Sequence, residues 1–179
     1  MDIETCLLMA TDSQGRWLRN PWQYPDYKKL ALEFIQGHTV LMGREAWFDF
    51  PFKEDTDIAP WILSNNQHFH MYTKQRYVHA CFSESLDVLC QYPPTKGIWW
   101  VLGGSSVFRA TLPYADSLEV TTIHETRGLG VLPIPEALKK VSRCPHPYNA
   151  AMDCVRYVRQ QSYPPLYLQQ VQAGRVRQS

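Results

Sequence analysis

The stretch Ile98-Trp99-Trp100-Val101-Leu102-Gly103-Gly104-Ser105-Ser106 constrains this chain more than any other. Apolar residues that run on without alternating fit a strand covered on both faces, and therefore a sheet with helices on either side. Paired glycines end the run, and Val107 to Leu112 then reads as a helix stopped by Pro113. Glycines at such a corner remove the Cβ atoms that would keep a ligand from the backbone. Ser105 can cap the helix, whose free N–H groups and positive dipole end attract an anion. The corner is thus a candidate phosphate cradle, and a plain β-to-α turn is the alternative that needs nothing more.

Elsewhere the same alternation recurs. Cys6 to Ala10 is a short apolar run closed by the turn signature Asp12-Ser13-Gln14-Gly15. The loop that follows carries Trp17 and Trp22, and Pro21 and Pro25 oppose regular structure within it; it is either a lid or a surface connection that packs its Trp rings. Tyr27, Leu30, Ala31, Phe34 and Ile35 then fall at helical spacing, with Lys28, Lys29 and Glu33 off the stripe and Gly37 as the stop. Thr39 to Met42 reads as a strand that turns at Gly43-Arg44 into a short helix. Arg44 is a second candidate for phosphate, or simply a surface cation. Residues 49–58 read as loop, Trp61 to Leu63 and Tyr77 to Cys81 as strands, Ser83 onward as a helix, and Ser117 to Ile123 as a further strand. This order predicts an α/β domain with a largely parallel sheet.

Nearer the C-terminus, Pro133 to Tyr148 reads as a proline-punctuated loop, and Cys154 to Arg159 with Leu166 to Val171 as an antiparallel hairpin on the sheet edge. Residues 172–179 lack an apolar pattern and are expected to be a flexible tail, which leaves 1–171 as one domain.

Composition limits the partners. With 45% hydrophobic residues, 20% charged and a net charge of +1, the 179-residue chain gives no reason to expect nucleic acid or an anionic membrane, and small molecules are expected instead. No basic leader and no apolar run of about 20 residues is present, so a cytoplasmic location is expected. The five cysteines form no C-x-x-C pair and read as free buried thiols. His68 and His70 lack a third ligand at metal spacing, so no metal is expected.

Taken in order, Pro21-Trp22, Asp26 on the next helix, Met42-Gly43-Arg44 with Trp47, Leu102-Gly103-Gly104, Leu112-Pro113-Tyr114-Ala115-Asp116 and Thr121-Thr122-Ile123 resemble the dihydrofolate reductase family across roughly residues 6–171. The resemblance implies an eight-stranded, mostly parallel sheet with an antiparallel C-terminal hairpin and flanking helices, NADPH across the strand ends and a pterin in the adjoining cleft. Carried over by position, Gly103, Gly104, Ser105 and Ser106 cradle the pyrophosphate, with Leu102 and Val107 beside them. Arg44 and Ser64 meet the phosphates, including the 2′-phosphate. The pterin lies among Leu8, Tyr27, Leu30, Phe50, Leu102 and Phe108. Asp26 is the implied catalytic carboxylate, supported by a hydrogen bond from Thr121.

Counted without gaps from Pro21-Trp22, the acid position falls on Tyr27, and Asp26 reaches it only with a loop one residue shorter. The plain alternative for Asp26 is a helix cap. Residues 51–61 lack the Arg that grips the glutamate tail of folate in the family and hold only Lys53; Glu45 lies beside a proposed phosphate site; and Leu129 to Pro135 lacks the acid usual in that loop. The implied activity is NADPH-dependent reduction of 7,8-dihydrofolate to 5,6,7,8-tetrahydrofolate by a monomer. The alternatives are reduction of another pterin or pyrimidine without a glutamate tail, or a non-catalytic nucleotide-binding or structural homologue.

Overall fold

The structure, a computed structural model, describes residues 4–63, 79–81, 93–124 and 126–160. Its strands are β1 (Thr5–Thr11), β2 (Thr39–Gly43), β3 (Ala59–Leu63), β4 (His79–Cys81), β5 (Trp99–Gly103), β6 (Ser117–Ile123), β7 (Leu138–His146) and β8 (Asn149–Arg159). They form one eight-stranded sheet in the order β4-β3-β2-β5-β1-β6-β8-β7. The described helices are α1 (Pro25–Ile35), α2 (Arg44–Asp49) and α3 (Ser105–Thr111).

All pairings from β4 across to β6 are parallel, whereas β8 runs antiparallel to β6 and to β7. Double coverage of the central strands shows in which residues pack together. Leu7, Met9, Leu41, Trp99 and Val101 join Phe108 and Leu112 on one face, while Leu8, Ala10, Val40, Met42 and Trp100 join Tyr27, Ala31 and Ile35 of α1 on the other. Every residue of β1 is buried, so its unbroken apolar reading reflects two core layers meeting at one strand.

The chain leaves β1 for α1 and β2 on one side, then returns to place β5 between them. Successive connections part at this point, and a crevice is left at the carboxyl ends of the strands, where open α/β sheets bind ligands.

Four expectations change. Pro21 opens a 3-10 turn, Pro21–Gln23, and Pro25 is the first residue of α1; proline costs nothing at a helix start because its missing N–H would have no partner there. The hairpin on the edge is β7 with β8, so the proline-punctuated segment before Tyr148 holds a strand. It escaped detection because β7 is an edge strand whose residues between Leu138 and His146 are all exposed, with no alternation, and whose Pro145 sits at a shift of register. Ser105 is the first residue inside α3, whose cap position is taken by Gly104, and it makes no capping hydrogen bond. Among the described thiols, Cys6 is buried, Cys154 is half-buried and Cys144 is exposed.

The proposed helix from Ser83, the strand Leu166 to Val171 and the tail 172–179 lie outside the described residues, as do His68 and His70. No described helix is long and apolar enough to cross a membrane. Trp99 is fully buried between β1 and β2. Trp99→Ala is therefore expected to cost about 3–5 kcal/mol, read as a lower urea midpoint at unchanged slope.

Candidate active site

A cavity of about 620 Å³ opens at the carboxyl ends of β1, β2, β3 and β5. Its buried lining is apolar from Leu8 and Ala10 on β1 to Val107 and Phe108 on α3, apart from Tyr27 of α1. The charged lining residues stand at the rim, with Arg19, Arg44 and Glu45 exposed and Asp49 half-buried. Trp22 meets Tyr27 edge to face at 5.4 Å and Phe50 at 5.9 Å. The aromatic loop read from sequence thus supplies one wall.

The glycine corner forms one end of this cleft. Gly103 has φ +111 and is joined to Gly104 by a cis peptide bond. A Cβ on Gly103 would come within 2.8 Å of the Phe108 ring, so this glycine is required by the turn and its packing. A Cβ on Gly104 would meet nothing within 4 Å, yet Gly104 lines the cleft. Across from it, a Cβ on Gly43 would stand 3.4 Å from Val107 and 3.8 Å from the Gly104 nitrogen. The backbones of two strand ends therefore face one another with side chains removed, and Ser105, Ser106 and Arg44 lie alongside. Arg44 makes no ion pair among the described residues, which leaves its planar fork available for phosphate oxygens.

The structure gathers Leu8, Tyr27, Leu102, Phe108, Arg44, Gly104, Ser105, Ser106 and Val107 around one cavity. It leaves Asp26, Leu30, Phe50, Gly103 and Thr121 outside the lining, and Ser64 lies outside the described residues. Helical phase explains Asp26. Consecutive helix residues point about 100° apart, so when Tyr27 faces the cleft, Asp26 does not. Its Oδ2 instead accepts a hydrogen bond from Asn149 Nδ2 at 3.2 Å, next to the β7–β8 turn.

Glu33 accepts from the Tyr148 hydroxyl, and Lys29 sits 4.0 Å from the centre of the Tyr148 ring, so one polar stripe of α1 is fastened to that turn. His146, buried behind it, has its pKa lowered by desolvation, against the opposite pull of Asp26 and Glu33. Thr121 stands opposite Cys154 across the ladder and makes no hydrogen bond to Asp26.

Asp12 is a residue whose role the sequence did not reveal. Its carboxylate is almost fully buried and accepts from the N–H groups of Gln14 at 2.9 Å, Arg16 at 3.0 Å and Gly128 at 2.8 Å, and from Arg16 Nε at 2.7 Å. Burial alone would raise its pKa, but these donors hold the carboxyl well below the ordinary range. Trp17 N–H donates to Gly130 at 2.8 Å and Leu129 N–H to Trp17 at 3.0 Å. The loop after β1 is thereby clasped to residues 128–130, and Trp17, Leu18 and Arg19 are held over the cleft. Gly128 permits the contact, since a Cβ there would lie 2.2 Å from the Arg16 carbonyl oxygen. The Asp-Ser-Gln-Gly turn was legible; its partner 116 residues away left no local signal.

Fold and cleft together define the class: an α/β protein whose ligand site lies at the carboxyl edge of a mostly parallel sheet. The model of the dihydrofolate reductase family matches residues 8–147. Dihydrofolate reductase of Mycobacterium tuberculosis is 32% identical over 112 residues, which are 61% of this chain and 63% of that protein. The Mycobacterium leprae enzyme is 27% identical over 109 residues, 58% of this chain and 60% of its own length. A solved dihydrofolate reductase from Enterococcus faecalis, complexed with NADP(H) and RAB-propyl, superposes with a TM-score of 0.66 at 24% identity, covering 88% of this chain and 97% of that one. This chain belongs to the dihydrofolate reductase family. Its matches span about three fifths of the curated relatives' length.

Two outcomes follow from this geometry. Gly104→Ala is expected to keep the unfolding midpoint because its Cβ enters open space, whereas Gly103→Ala should lower the midpoint through its clash with Phe108; thermal melts separate them. Because the Asp12 carboxyl is depressed in the folded state, its stabilisation is complete above the unfolded value of about 4 and fades as pH falls below it. Asp12→Asn should therefore be less stable than wild type at neutral pH, and the gap should narrow in acid, read by urea unfolding across pH.

Proposed function

We propose that this protein is an NADPH-dependent reductase of a dihydropterin, converting 7,8-dihydrofolate to 5,6,7,8-tetrahydrofolate. The observation that carries the reading is a single cleft with two unlike ends, one lined by bare glycine backbone beside Arg44 and the other buried and apolar. The first end suits the phosphates of a dinucleotide, held by Gly104, Ser105 and Ser106 with Arg44, while Gly103, Leu102 and Val107 shape the corner. The second suits a flat ring among Leu8, Tyr27, Leu102 and Phe108. Phe50, against Trp22, and Thr121, paired with Ala10, support that pocket from outside its lining, and Leu30 lies outside it.

Reduction adds a hydride to the carbon and a solvent-derived proton to the nitrogen of the pterin C=N bond, and NADPH supplies the hydride when bound. This chain's part is to orient the ring and exclude water, which the Trp17 loop and the apolar floor are placed to do. The same reading takes the protein as a cytoplasmic monomer acting on small molecules, with neither nucleic acid nor a membrane as partner.

One observation favours a ring without a glutamate tail. Beyond Arg44, which this reading gives to the phosphates, the rim contributed by α2 carries Glu45 and Asp49, and Lys53 is committed elsewhere, 5.0 Å from the centre of the Trp47 ring and donating to the Phe48 carbonyl at 3.2 Å. An anionic tail would meet carboxylates there.

NADPH oxidation followed with dihydrofolate and with a tail-less dihydropterin tests both readings. Turnover on dihydrofolate supports the first, and equal use of the tail-less ring supports the second. NADPH binding without turnover on either makes the protein a non-catalytic homologue. Asp26→Asn is expected to change turnover by less than about threefold, because its carboxylate is spent on Asn149 outside the cleft.

A further inference from the structure

We propose that the Tyr27 hydroxyl is the hydrogen-bonding group at the buried end of the cleft, so that the ring received there binds as a neutral species and not as a cation. This rests on the reading of the cleft as a pterin site and adds which ring it selects.

Tyr27 is 2% exposed and stands on the inner stripe of α1 with Ala31 and Ile35, its ring fixed by the edge-to-face contact with Trp22 at 5.4 Å. It lines the cavity, and its hydroxyl has no hydrogen-bond partner among the described residues. Every other buried lining residue is apolar. The hydroxyl is not among the fully buried polar atoms, so it opens onto the cavity, and a ligand that fills the cavity must offer it a partner in place of solvent. Desolvation pushes the phenol up, so it stays protonated and uncharged. Such a group can donate to a ring nitrogen or accept from a ring N–H, but it supplies no counter-charge.

The ionic groups that could supply one are elsewhere. Arg19, Arg44 and Glu45 are exposed at the rim, Asp49 is half-buried there, and Asp26 is turned to Asn149. A ring carried to the floor with a positive charge would lose its water and find no carboxylate in exchange.

The test uses the full chain loaded with NADPH and two probes of one shape, a neutral 2-amino-4-oxopteridine and its basic 2,4-diamino counterpart, with binding read by quenching of Trp fluorescence. Wild type is expected to bind the neutral ring at least about tenfold tighter than the basic one. Tyr27→Phe, which keeps the ring packing, should lose about tenfold on the neutral ring with NADPH affinity unchanged, and Tyr27→Asp should reverse the preference.

Wild type preferring the basic ring overturns the inference, a result that needs no variant to fold. So does Tyr27→Phe binding the neutral ring as wild type does. Failure is distinguishable from that of the underlying reading: wild type that does not bind NADPH, or binds it and neither ring, overturns the reading of the cleft as well.

Discussion

The structure depends on burying β1 and β5 from both sides. Adjacent residues along these strands, Leu7 beside Leu8 and Trp99 beside Trp100, serve opposite core layers, so neither layer can form without the other. Such strands leave no polar face to water and must end abruptly when the chain turns away. That end is where Gly103 and Gly104 stand, and where the crevice opens. Core and ligand site are consequences of one constraint, since a sheet sealed on both faces is accessible only at the edge where its strands stop.

Much of this architecture was legible because its signals are local. The unbroken run at Ile98 to Leu102, the helical spacing from Tyr27 to Ile35 and the strand that turns at Gly43-Arg44 each place an element within a residue or two of where it lies. β7 was not legible, because a solvated edge strand has no buried face to impose alternation, and Lys139, Lys140 and Pro145 look the same in a strand as in a loop. The proline readings at Pro21 and Pro25 failed for a different reason. Proline excludes helix interiors, and both residues stand at starts.

The candidate site was legible in its glycines and less so in its acid. Deciding between Asp26 and Tyr27 required a helical phase good to one residue, and sequence fixed the stripe without fixing which neighbour of Pro25 began it. The fully buried positions of α1 are Tyr27, Ala31 and Ile35, and once that set is known Asp26 falls on the side stripe with Lys29 and Glu33, against the β7–β8 turn. Hydrogen bonds on that side, with the cation–π contact of Lys29, give the carboxylate a sufficient reason to be there. A motif match by neighbourhood, without phase, cannot tell two residues one apart on a helix, although they face different worlds.

The Asp12 clasp has a consequence for how such a cleft can be adjusted. Its donors include one peptide N–H from the far loop, at a position whose glycine is needed only for clearance, so nearly all the chemical identity of the latch resides in a single side chain. That side chain is not part of the cleft lining. Access to the cleft can thus be retuned by exchanging one residue near the start of the chain, while the lining of the cleft stays as it is.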